Sequence, residues 1–483
     1  MTLRTLLAGL VVLSLAGCAI GPDYQRPATD LPADWRAGTA QPGDLRADWC
    51  RLFNDPVLER LVAETLDNNR DLVVAVARVD EARAQLGIAR ADQLPRLDGQ
   101  GSSARGLLSH RGLSPAVEGH DTYYLHNASG ILSWELDLWG KYRRASEAAR
   151  ANLLASEAAR NAVVLSLTAE TVRGYFDLRT LDQQLAIARR TQTTRESALT
   201  IRDARFRMGL TSELDYRQAE AEVATARTAV HDFESRVAAA EAGLSVLLGR
   251  SPREIVDGQV ERGQSLEAIT LPPEVPAGLP SELLERRPDL RQAEQELIAA
   301  NARIGVAKAA YLPSISLTGL FGNESTDLAE LFTGASRTWQ YAGKATMPIF
   351  DFGRVHAGVK VAEARQRMLL AQYEKAIQNA FRETQVALVE NVKRRQVATS
   401  LDEQVAALRR SAQLARMRYE NGYSAYLELL DAERQLFQAE IEQATARRNR
   451  LVAAVDLCKA LGGGWQGVSL TSHVGEPAGG GNQ

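Results

Sequence analysis

Two long stretches of this chain contain no proline and consist mainly of residues that favour α-helix. No proline occurs from residue 141 to residue 250, and after residue 354 only Pro477 occurs. Both stretches are rich in Ala, Arg, Glu, Gln and Leu, which are good helix formers. They predict continuous helices over 141–208 and 354–421, each about 100 Å long at about 1.5 Å per residue. Helices of this length are typical of coiled coils or helical barrels.

Composition excludes several classes of function. The 483 residues carry a formal net charge of −3, so no basic excess is available to bind nucleic acid. The only long apolar run lies at the N-terminus, which argues against a transporter built of membrane-spanning helices. The six histidines do not pair with a cysteine at metal-ligand spacing, and no nucleophile or cofactor motif is present. We therefore expect no metal site, no cofactor and no enzymatic activity.

The N-terminus has the pattern of a bacterial lipoprotein signal. Arg4 precedes an apolar run over 5–15, which is too short to span a membrane. The run ends in Leu15-Ala16-Gly17-Cys18, small residues before a cysteine. The pattern predicts removal of residues 1–17 and lipidation of Cys18. Ala19 stands where inner-membrane lipoproteins usually have aspartate, so the predicted location is the outer membrane. The lipid on Cys18 would tether the chain to that membrane.

A segment with the alternation of β-strands precedes each long helix. Leu132, Trp134, Leu136 and Leu138 alternate with polar residues. The regions 96–139 and 313–351 are rich in Gly, Ser, Thr and aromatic residues, and each is long enough for one hairpin of two strands. We therefore expect four strands, and the aromatic residues suit the interface of a membrane barrel.

The chain also repeats itself at an offset of 213 to 218 residues. Residues 69–72 (NRDL) match 287–290 (RPDL), and residues 205–211 (RFRMGLT) match 418–424 (RYENGYS). The duplication predicts two repeats of helix, β-hairpin, long helix, turn and helix. The predicted domains are a signal peptide (1–17), an N-terminal periplasmic segment (18–55), repeats at 56–252 and 281–466, a linker (253–280) and a flexible tail (467–483). The returning helices are predicted over 212–248 and 424–462.

Four strands are too few for a closed membrane barrel, because the smallest outer-membrane barrels have ~8 strands. An open sheet edge cannot face lipid, since its peptide groups would have no hydrogen-bond partners. The strands must therefore close with strands from other copies, and three copies would supply about twelve strands. The predicted fold class is mainly α with a membrane β-barrel portion: a trimeric twelve-stranded barrel continued by a long periplasmic α-helical barrel.

Each repeat has a glycine at the end of its long helix. Gly209 and Gly422 suit the left-handed residue that ends many helices. Thr211 or Ser212 in the first repeat, and Ser424 in the second, are candidate caps of the returning helices. Both turns are therefore predicted to be the ends of helical hairpins.

The sequence resembles the TolC-like outer membrane factors, in particular the lipoprotein (NodT-type) branch that serves RND-type multidrug efflux pumps. The resemblance covers nearly the whole mature chain. It rests on 18–27 (CAIGPDYQRP), 53–56 (FNDP), 286–290 (RRPDL), 310–313 (AYLP), 348–354 (PIFDFGR), 429–432 (LLDA) and 459–465 (KALGGGW).

The resemblance implies a homotrimer that works with a periplasmic adaptor protein and an inner-membrane RND-type pump. It implies that the hairpin ends form the periplasmic end of the tunnel and receive the adaptor. On that basis, the residues expected to dock the adaptor are Gly209, Leu210, Thr211, Gly422, Tyr423 and Ser424.

The resemblance also implies a gate near these ends. Residues matching Leu427, Glu428 and Asp431 constrict the closed tunnel in the family, the first as an apolar ring and the acids as rings of carboxylates. Polar links hold the gate closed. We expect a hydrogen bond from the Tyr419 hydroxyl to the Asp215 carboxylate, and an ion pair from Arg418 to a carboxylate nearby, with Asp215 as one candidate. A solvated acidic helix face is the alternative for Glu428 and Asp431.

Cys50 and Cys458 depart from the family pattern, which more often has an aromatic residue at each place. Two thiols in an oxidising periplasm suggest a disulfide between them. The alternative is two buried small apolar side chains.

The predicted function is an outer-membrane exit duct that passively conducts small molecules. Two alternatives stay open at this point. One is the outer channel of a protein-secreting system of the same fold, and the other is a periplasmic coiled-coil lipoprotein without a pore. The alternating strand at Leu132 argues against the second.

Overall fold

The computed structural model describes residues 19–35, 49–109, 111, 122–270 and 280–463. The predicted signal peptide, the predicted lipidation site Cys18 and the predicted C-terminal tail lie outside these residues. The strands are β1 (Arg96–Leu107), β2 (Thr122–Glu135), β3 (Ser314–Ser325) and β4 (Arg337–Thr346). The helices are α1 (Pro56–Asn68), α2 (Arg70–Ala91), α3 (Lys141–Arg207), α4 (Glu213–Leu247), α5 (Pro252–Asp257), α6 (Leu283–Arg286), α7 (Pro288–Ala309), α8 (Arg354–Glu420) and α9 (Tyr426–Ala460).

The chain forms two compact units. The first comprises the described residues of Met1–Ala28, Arg78–Glu157 and Gln292–Glu374. The second comprises those of Thr29–Ala77, Ala158–Arg291 and Lys375–Gln483. Each unit therefore takes segments from both sequence repeats.

The first unit contains a four-stranded antiparallel sheet in the order β1-β2-β3-β4. The two predicted hairpins are confirmed, and β2 pairs with β3 between them. Within the described residues, β1 pairs only with β2 and β4 pairs only with β3. The sheet therefore has two open edges, each with a row of unpaired backbone groups.

The sheet has one apolar face. Successive side chains of a strand point to opposite faces, so residues directly opposite each other share a face. The register places Leu97, Leu132 and Tyr341 in one row, and Phe321 beside Trp339 in the next. Tyr341 is 80% exposed and Phe321 is 65% exposed. Large apolar side chains are therefore uncovered along this face, which is typical of a surface meant for lipid.

Strand β2 ends at Glu135, four residues before the predicted end of the strand region. The Asp137 carboxylate accepts hydrogen bonds from the backbone N–H groups of Tyr142 (3.1 Å) and Arg143 (2.8 Å). These groups belong to the first turn of α3, where N–H groups lack partners within the helix. Asp137 therefore takes part in starting the long helix, and the alternation of Leu136 and Leu138 does not extend the strand.

The first described residues pack at the junction between sheet and helix in the first unit. The Ile20 N–H donates to the Trp139 carbonyl at 3.1 Å. Gly21 lies against Gly305, where a Cβ on Gly21 would come within 2.5 Å of the Gly305 Cα. Arg26 pairs with Glu294 on α7 at 2.6 Å. The segment that follows Cys18 is thus fixed beside the start of α3.

The long helices α3 and α8 are continuous, and Gly174 does not interrupt α3. Alanine supplies much of their buried surface; in the first unit Ala148 and Ala151 of α3 pack on Ala299 and Ala302 of α7. Small side chains let helix backbones approach closely. Among the helices of the described residues, none is both long enough and apolar enough to cross a membrane.

The second unit has its core where α1 packs against α3, α4 and α9. The core includes Phe53, Leu58, Phe176, Leu248 and Val455, each at most 1% exposed. Phe53 and Phe176 meet edge to face, with ring centroids 5.0 Å apart. This arrangement is a favourable one for aromatic pairs.

A buried carboxylate joins three segments of this unit. Asp55 is fully buried and caps α1, accepting from the Val57 N–H at 3.0 Å. It also accepts from the Tyr175 hydroxyl of α3 at 2.6 Å and from the Gln264 N–H at 3.1 Å. A Cβ on Gly263 would lie 2.3 Å from its Oδ1 atom, so glycine is required there. Burial and the bond to Asp55 raise the pKa of Tyr175, which therefore stays a donor.

We predict that Asp55→Ala lowers stability by about 2–4 kcal/mol, because it removes a helix cap and leaves the buried Tyr175 hydroxyl without its acceptor. The measurement is the apparent melting temperature of the detergent-solubilised protein. The matched control is Asp257→Ala, whose 70% exposed side chain pairs with Arg253 and should contribute little. Equal melting temperatures for the two variants would contradict the role assigned to Asp55.

Candidate functional site

The candidate site lies in the second unit, at the ends of two helical hairpins. We call α3 with α4 the first hairpin and α8 with α9 the second hairpin. Gly209 and Gly422 end α3 and α8 with φ of +71° and +79°. In both turns the next amide, of Leu210 or Tyr423, donates to the carbonyl five residues earlier at 2.8 Å. The repeats therefore build the same glycine-ended turn.

The two returning helices are capped differently. Ser212 caps α4, accepting from the Asp215 N–H at 3.2 Å, so of the two candidates in the first repeat Ser212 is the cap. The prediction that Ser424 caps α9 is wrong. That helix begins at Tyr426, its N-cap is Ala425, and Ala425 has no side-chain oxygen to offer. Ser424 lies one position too early, and its hydroxyl oxygen is buried without a hydrogen-bond partner.

The hairpin ends expose large apolar side chains. Leu210 is 71% exposed and Tyr423 is 77% exposed. Met208 and Leu214 beside the first turn are equally open, at 65% each. Exposed apolar residues grouped on a hydrogen-bonded turn are typical of a protein contact surface.

Tyr419 does not make the hydrogen bond expected from the sequence. Among the described residues, no hydrogen bond joins Tyr419 to Asp215; the Asp215 carboxylate accepts from the Thr211 hydroxyl at 2.9 Å instead. The Tyr419 ring packs on Tyr426 of α9, with ring centroids 5.7 Å apart. In this chain Tyr419 contributes its ring to a contact within the second hairpin.

Arg202 is the residue near the ends that sequence reasoning missed. It lies on α3, is 5% exposed, and places its guanidinium carbon 3.8 Å from the Tyr426 ring centroid and 5.3 Å from that of Tyr419. A desolvated cation over aromatic faces is attracted by about 2 kcal/mol. Arg202 therefore links the first hairpin to the second. No sequence signal could have singled it out, because its partners lie more than two hundred residues away.

Ion pairs with buried carboxylates link the same two hairpins further from the ends, where Arg434 and Arg190 themselves stay more than half exposed. Glu222 of α4 has a side chain only 4% exposed and pairs with Arg195 of its own hairpin. The Arg434 Nε of α9 also donates to Glu222, at 2.8 Å. Glu440 of α9 pairs with Arg190 of α3 at 2.6 Å. The hairpins of one chain are thus joined by charged contacts as well as by Arg202.

The predicted gate residues of α9 lie at the surface of the chain. Arg418 pairs with a carboxylate nearby, as expected, and that carboxylate is Glu428 at 3.1 Å. This pair closes the end of the second hairpin. Leu427 is 59% exposed, and Asp431 accepts from the Gln435 side-chain amide at 2.6 Å. Within the described residues, no group of three or more His, Cys, Asp or Glu side chains is placed to hold a metal ion.

Cys50 and Cys458 lie in the same core of the second unit, but no disulfide joins them in the structure. Cys458 is 1% exposed, and burial raises the pKa of its thiol to about 12. A thiol with so high a pKa is a poor nucleophile for disulfide formation. Cys458 packs here as a small apolar side chain, in line with the alternative given above.

Long helical hairpins, together with an antiparallel sheet that has an apolar face and open edges within the described residues, are typical of channel-forming outer-membrane proteins. Comparison with known sequences gives the family. The profile of the outer membrane efflux protein family matches residues 61–250 and 279–463. The chain belongs to this family, which confirms the resemblance found in the sequence.

Named relatives agree with this assignment. The chain is 36% identical over 467 residues to the cation efflux system protein CusC of Escherichia coli O6:H1, covering 95% of this chain and 99% of CusC. It is 37% identical over 463 residues to the solvent efflux pump outer membrane protein SrpC of Pseudomonas putida, covering 94% and 97%. The CmeC outer membrane channel of Campylobacter jejuni has a similar structure, with a TM-score of 0.88, 28% identity and coverage of 93% and 96%. The protein is therefore an outer-membrane component of an efflux system.

We predict that Tyr419→Phe leaves the ionic conductance of the purified protein in planar bilayers unchanged, because the ring that contacts Arg202 and Tyr426 is kept. Tyr419→Ser removes the ring and should raise the conductance. Tyr423→Ser, at an exposed tyrosine of the same turn, is the matched control and should behave like wild type. A higher conductance for Tyr419→Phe alone would show that the hydroxyl bond to Asp215 does form in the working protein.

Proposed function

We propose that three copies of this chain form the outer-membrane exit duct of a tripartite efflux pump. The observation that carries the proposal is the sheet with two open edges and an apolar face. In lipid its unpaired edge groups each cost several kcal/mol. Three sheets of four strands, joined edge to edge, would close a barrel of about twelve strands, and the helical hairpins would continue it as a tunnel.

The hairpin ends are the proposed docking site for a periplasmic adaptor protein. The support is the exposure of Leu210 and Tyr423 on two glycine-ended turns of like geometry. Two similar turns per chain would give a trimer six similar ends. An adaptor in turn would connect the duct to an inner-membrane pump of the RND type.

The cargo is proposed to be small molecules chosen by the pump. The relatives differ in what their names say they export: CusC is named for cations and SrpC for solvent. The duct of this chain would then conduct passively, with no chemistry of its own. Relatives with one fold are named for different cargoes. This is consistent with the pump, rather than the duct, selecting the cargo.

The proposed gate combines the residues of α9 with the links between hairpins. Leu427, Glu428 and Asp431 would line the narrow end, three copies of each around the axis. The Arg418 pair with Glu428 would neutralise part of the acidic ring. Arg202 and the Glu222–Arg434 pair would hold the second hairpin against the first until the adaptor binds.

The lipid anchor at Cys18 is also a proposal. Its support is the position of Ile20, whose N–H donates to Trp139 at the sheet end of α3. The lipid would then reinforce the position of the barrel in the membrane.

The test of the duct is native mass spectrometry of the solubilised mature protein together with recordings in planar bilayers. We expect a mass of three copies and stepwise ionic conductance. A monomer that does not conduct would favour the spacer lipoprotein instead, and would overturn the proposed function.

We predict that Cys18→Ser blocks lipidation and leaves the precursor uncut, because the lipoprotein peptidase acts on the lipidated cysteine. The measurement is the intact mass of the protein from membranes, with palmitate labelling. Cys50→Ser is the matched control and should be processed like wild type. A Cys18→Ser protein that is still cut before residue 18 would show an ordinary signal peptide.

A further inference from the structure

The apolar face of the sheet carries two arginines and no acidic side chain. Among the strand residues that the structure describes, the face shared with Leu97 and Leu132 includes Arg105 of β1 and Arg337 of β4, and no Asp, Glu or Lys. Both arginines are exposed. A cation on a lipid-facing surface is costly at the centre of the membrane and becomes acceptable near the headgroups. The position of these two side chains along the strands is therefore informative.

The two arginines occupy the same place in the two β-hairpins. Arg105 opposite Tyr124 is the tenth cross-strand pair between β1 and β2, counted from the end nearer to the helices. Asn323 opposite Arg337 is likewise the tenth pair between β3 and β4. Each β-hairpin thus presents one arginine on the apolar face at the same distance from its first pair.

This distance matches the height of the apolar band on an outer-membrane barrel. Nine steps of ~3.3 Å separate the first pair from the tenth, which is about 30 Å along a strand. For strands tilted by about 40°, the height along the membrane normal is about 23 Å, and the apolar band of such barrels is about 25 Å tall. The long helices begin on the periplasmic side. The two arginines therefore lie at the outer edge of the band, level with the headgroups of the outer leaflet.

Aromatic rings accompany both arginines. The Arg105 guanidinium carbon lies 5.2 Å from the centroid of the Tyr124 ring. Tyr124 in turn stacks on the buried His126, with ring planes 18° apart. Trp339, two residues after Arg337 on the same face, is 63% exposed. Amphipathic rings of this kind are typical of the level at which headgroups meet acyl chains.

Neither arginine is paired with a carboxylate in the part of the chain that the structure describes; the contact of Arg105 there is with the Tyr124 ring. Arg96, on the opposite face of β1, differs in this respect, since it pairs with Asp98 at 2.8 Å. A guanidinium offers five N–H donors in a planar arrangement that fits phosphate. Arg105 and Arg337 can therefore bind an anion that the membrane supplies.

The charge on the apolar face is one-sided. Towards the periplasmic end this face presents Leu97, Leu132 and Leu317, and no charged side chain among the described strand residues. Cations that served general adhesion to phospholipid would be expected at both headgroup levels. Arginines at the outer level alone suit a leaflet built of a glycolipid with phosphate groups on its sugar headgroup.

We propose that Arg105 and Arg337 bind the phosphate groups of the outer-leaflet glycolipid, whose acyl chains lie along the apolar face below them. The inference rests on the proposed duct only in placing this face against lipid, and it adds a ligand that passive conduction does not require. Three copies present six such arginines at one level of the membrane. The arginines also fix the depth of the sheet in the membrane, because each phosphate contact holds its strand at the headgroup level.

The test is native mass spectrometry of the solubilised mature protein with added lipid A, monophosphoryl lipid A or phosphatidylcholine. The variant Arg105→Gln with Arg337→Gln is compared with Arg96→Gln with Lys344→Gln. The second variant is the matched control, because it removes two positive charges from the same strands on the opposite face. We expect the control to bind lipid A like wild type, and the first variant to bind it on the order of tenfold more weakly.

The two lipid A forms identify the group that is bound. Removal of one phosphate should weaken binding to wild type, and should have little further effect on the variant that lacks Arg105 and Arg337. Equal affinity of that variant and wild type for lipid A would overturn the site. Binding of phosphatidylcholine by wild type as tightly as lipid A would overturn it too.

The same samples separate this inference from the proposed function. If the site fails while the protein still has a mass of three copies and conducts in planar bilayers, the duct stands without the lipid site. A protein that is monomeric and does not conduct would remove both, because the apolar face would then not lie against lipid.

Discussion

The two unpaired sheet edges are the constraint on which the rest of this structure depends. A strand edge in lipid has no water to bond its peptide groups, so it must be paired. Four strands cannot do this within one chain. The sheet therefore requires further copies of itself, and the long helices that follow each hairpin must be arranged around the same axis. Fold, assembly and passage through the membrane are consequences of one need for backbone hydrogen bonds.

The internal duplication gives the chain two similar repeats. The residues that differ between the repeats show which contacts belong to only one of them. Both helical hairpins turn at a glycine with positive φ, and each repeat contributes one β-hairpin to the sheet. The caps differ, because Ser212 begins the first returning helix and Ala425 the second. The cation at Arg202 has alanine at the equivalent position, Ala415. The contact that Arg202 makes between the two hairpins therefore has no counterpart at this position of the second repeat.

The gate region shows the limit of reasoning from a sequence. The sequence indicated a tyrosine, an arginine and an aspartate near the hairpin ends, and Arg418 does pair with a carboxylate there. Tyr419 instead packs its ring near Arg202, and Asp215 bonds within its own turn. A helix surface with many arginines offers many possible partners. The packing of the helices decides which charged side chains are buried, as those of Arg202 and Glu222 are.

The sequence alone determined the elements of this protein: two long helices without proline, two hairpins of alternating residues, glycine-ended turns and a repeat. These are local properties, set by helix propensity, side-chain alternation and the φ that glycine allows. Only the tertiary structure decided which distant residues meet. Asp55 reaches Tyr175 and Gln264, Cys458 lies in a core without a disulfide, and Arg202 faces Tyr426. Such contacts depend on how the helices pack and rotate against one another. No local sequence pattern specifies this, because the contacting residues are far apart in the chain.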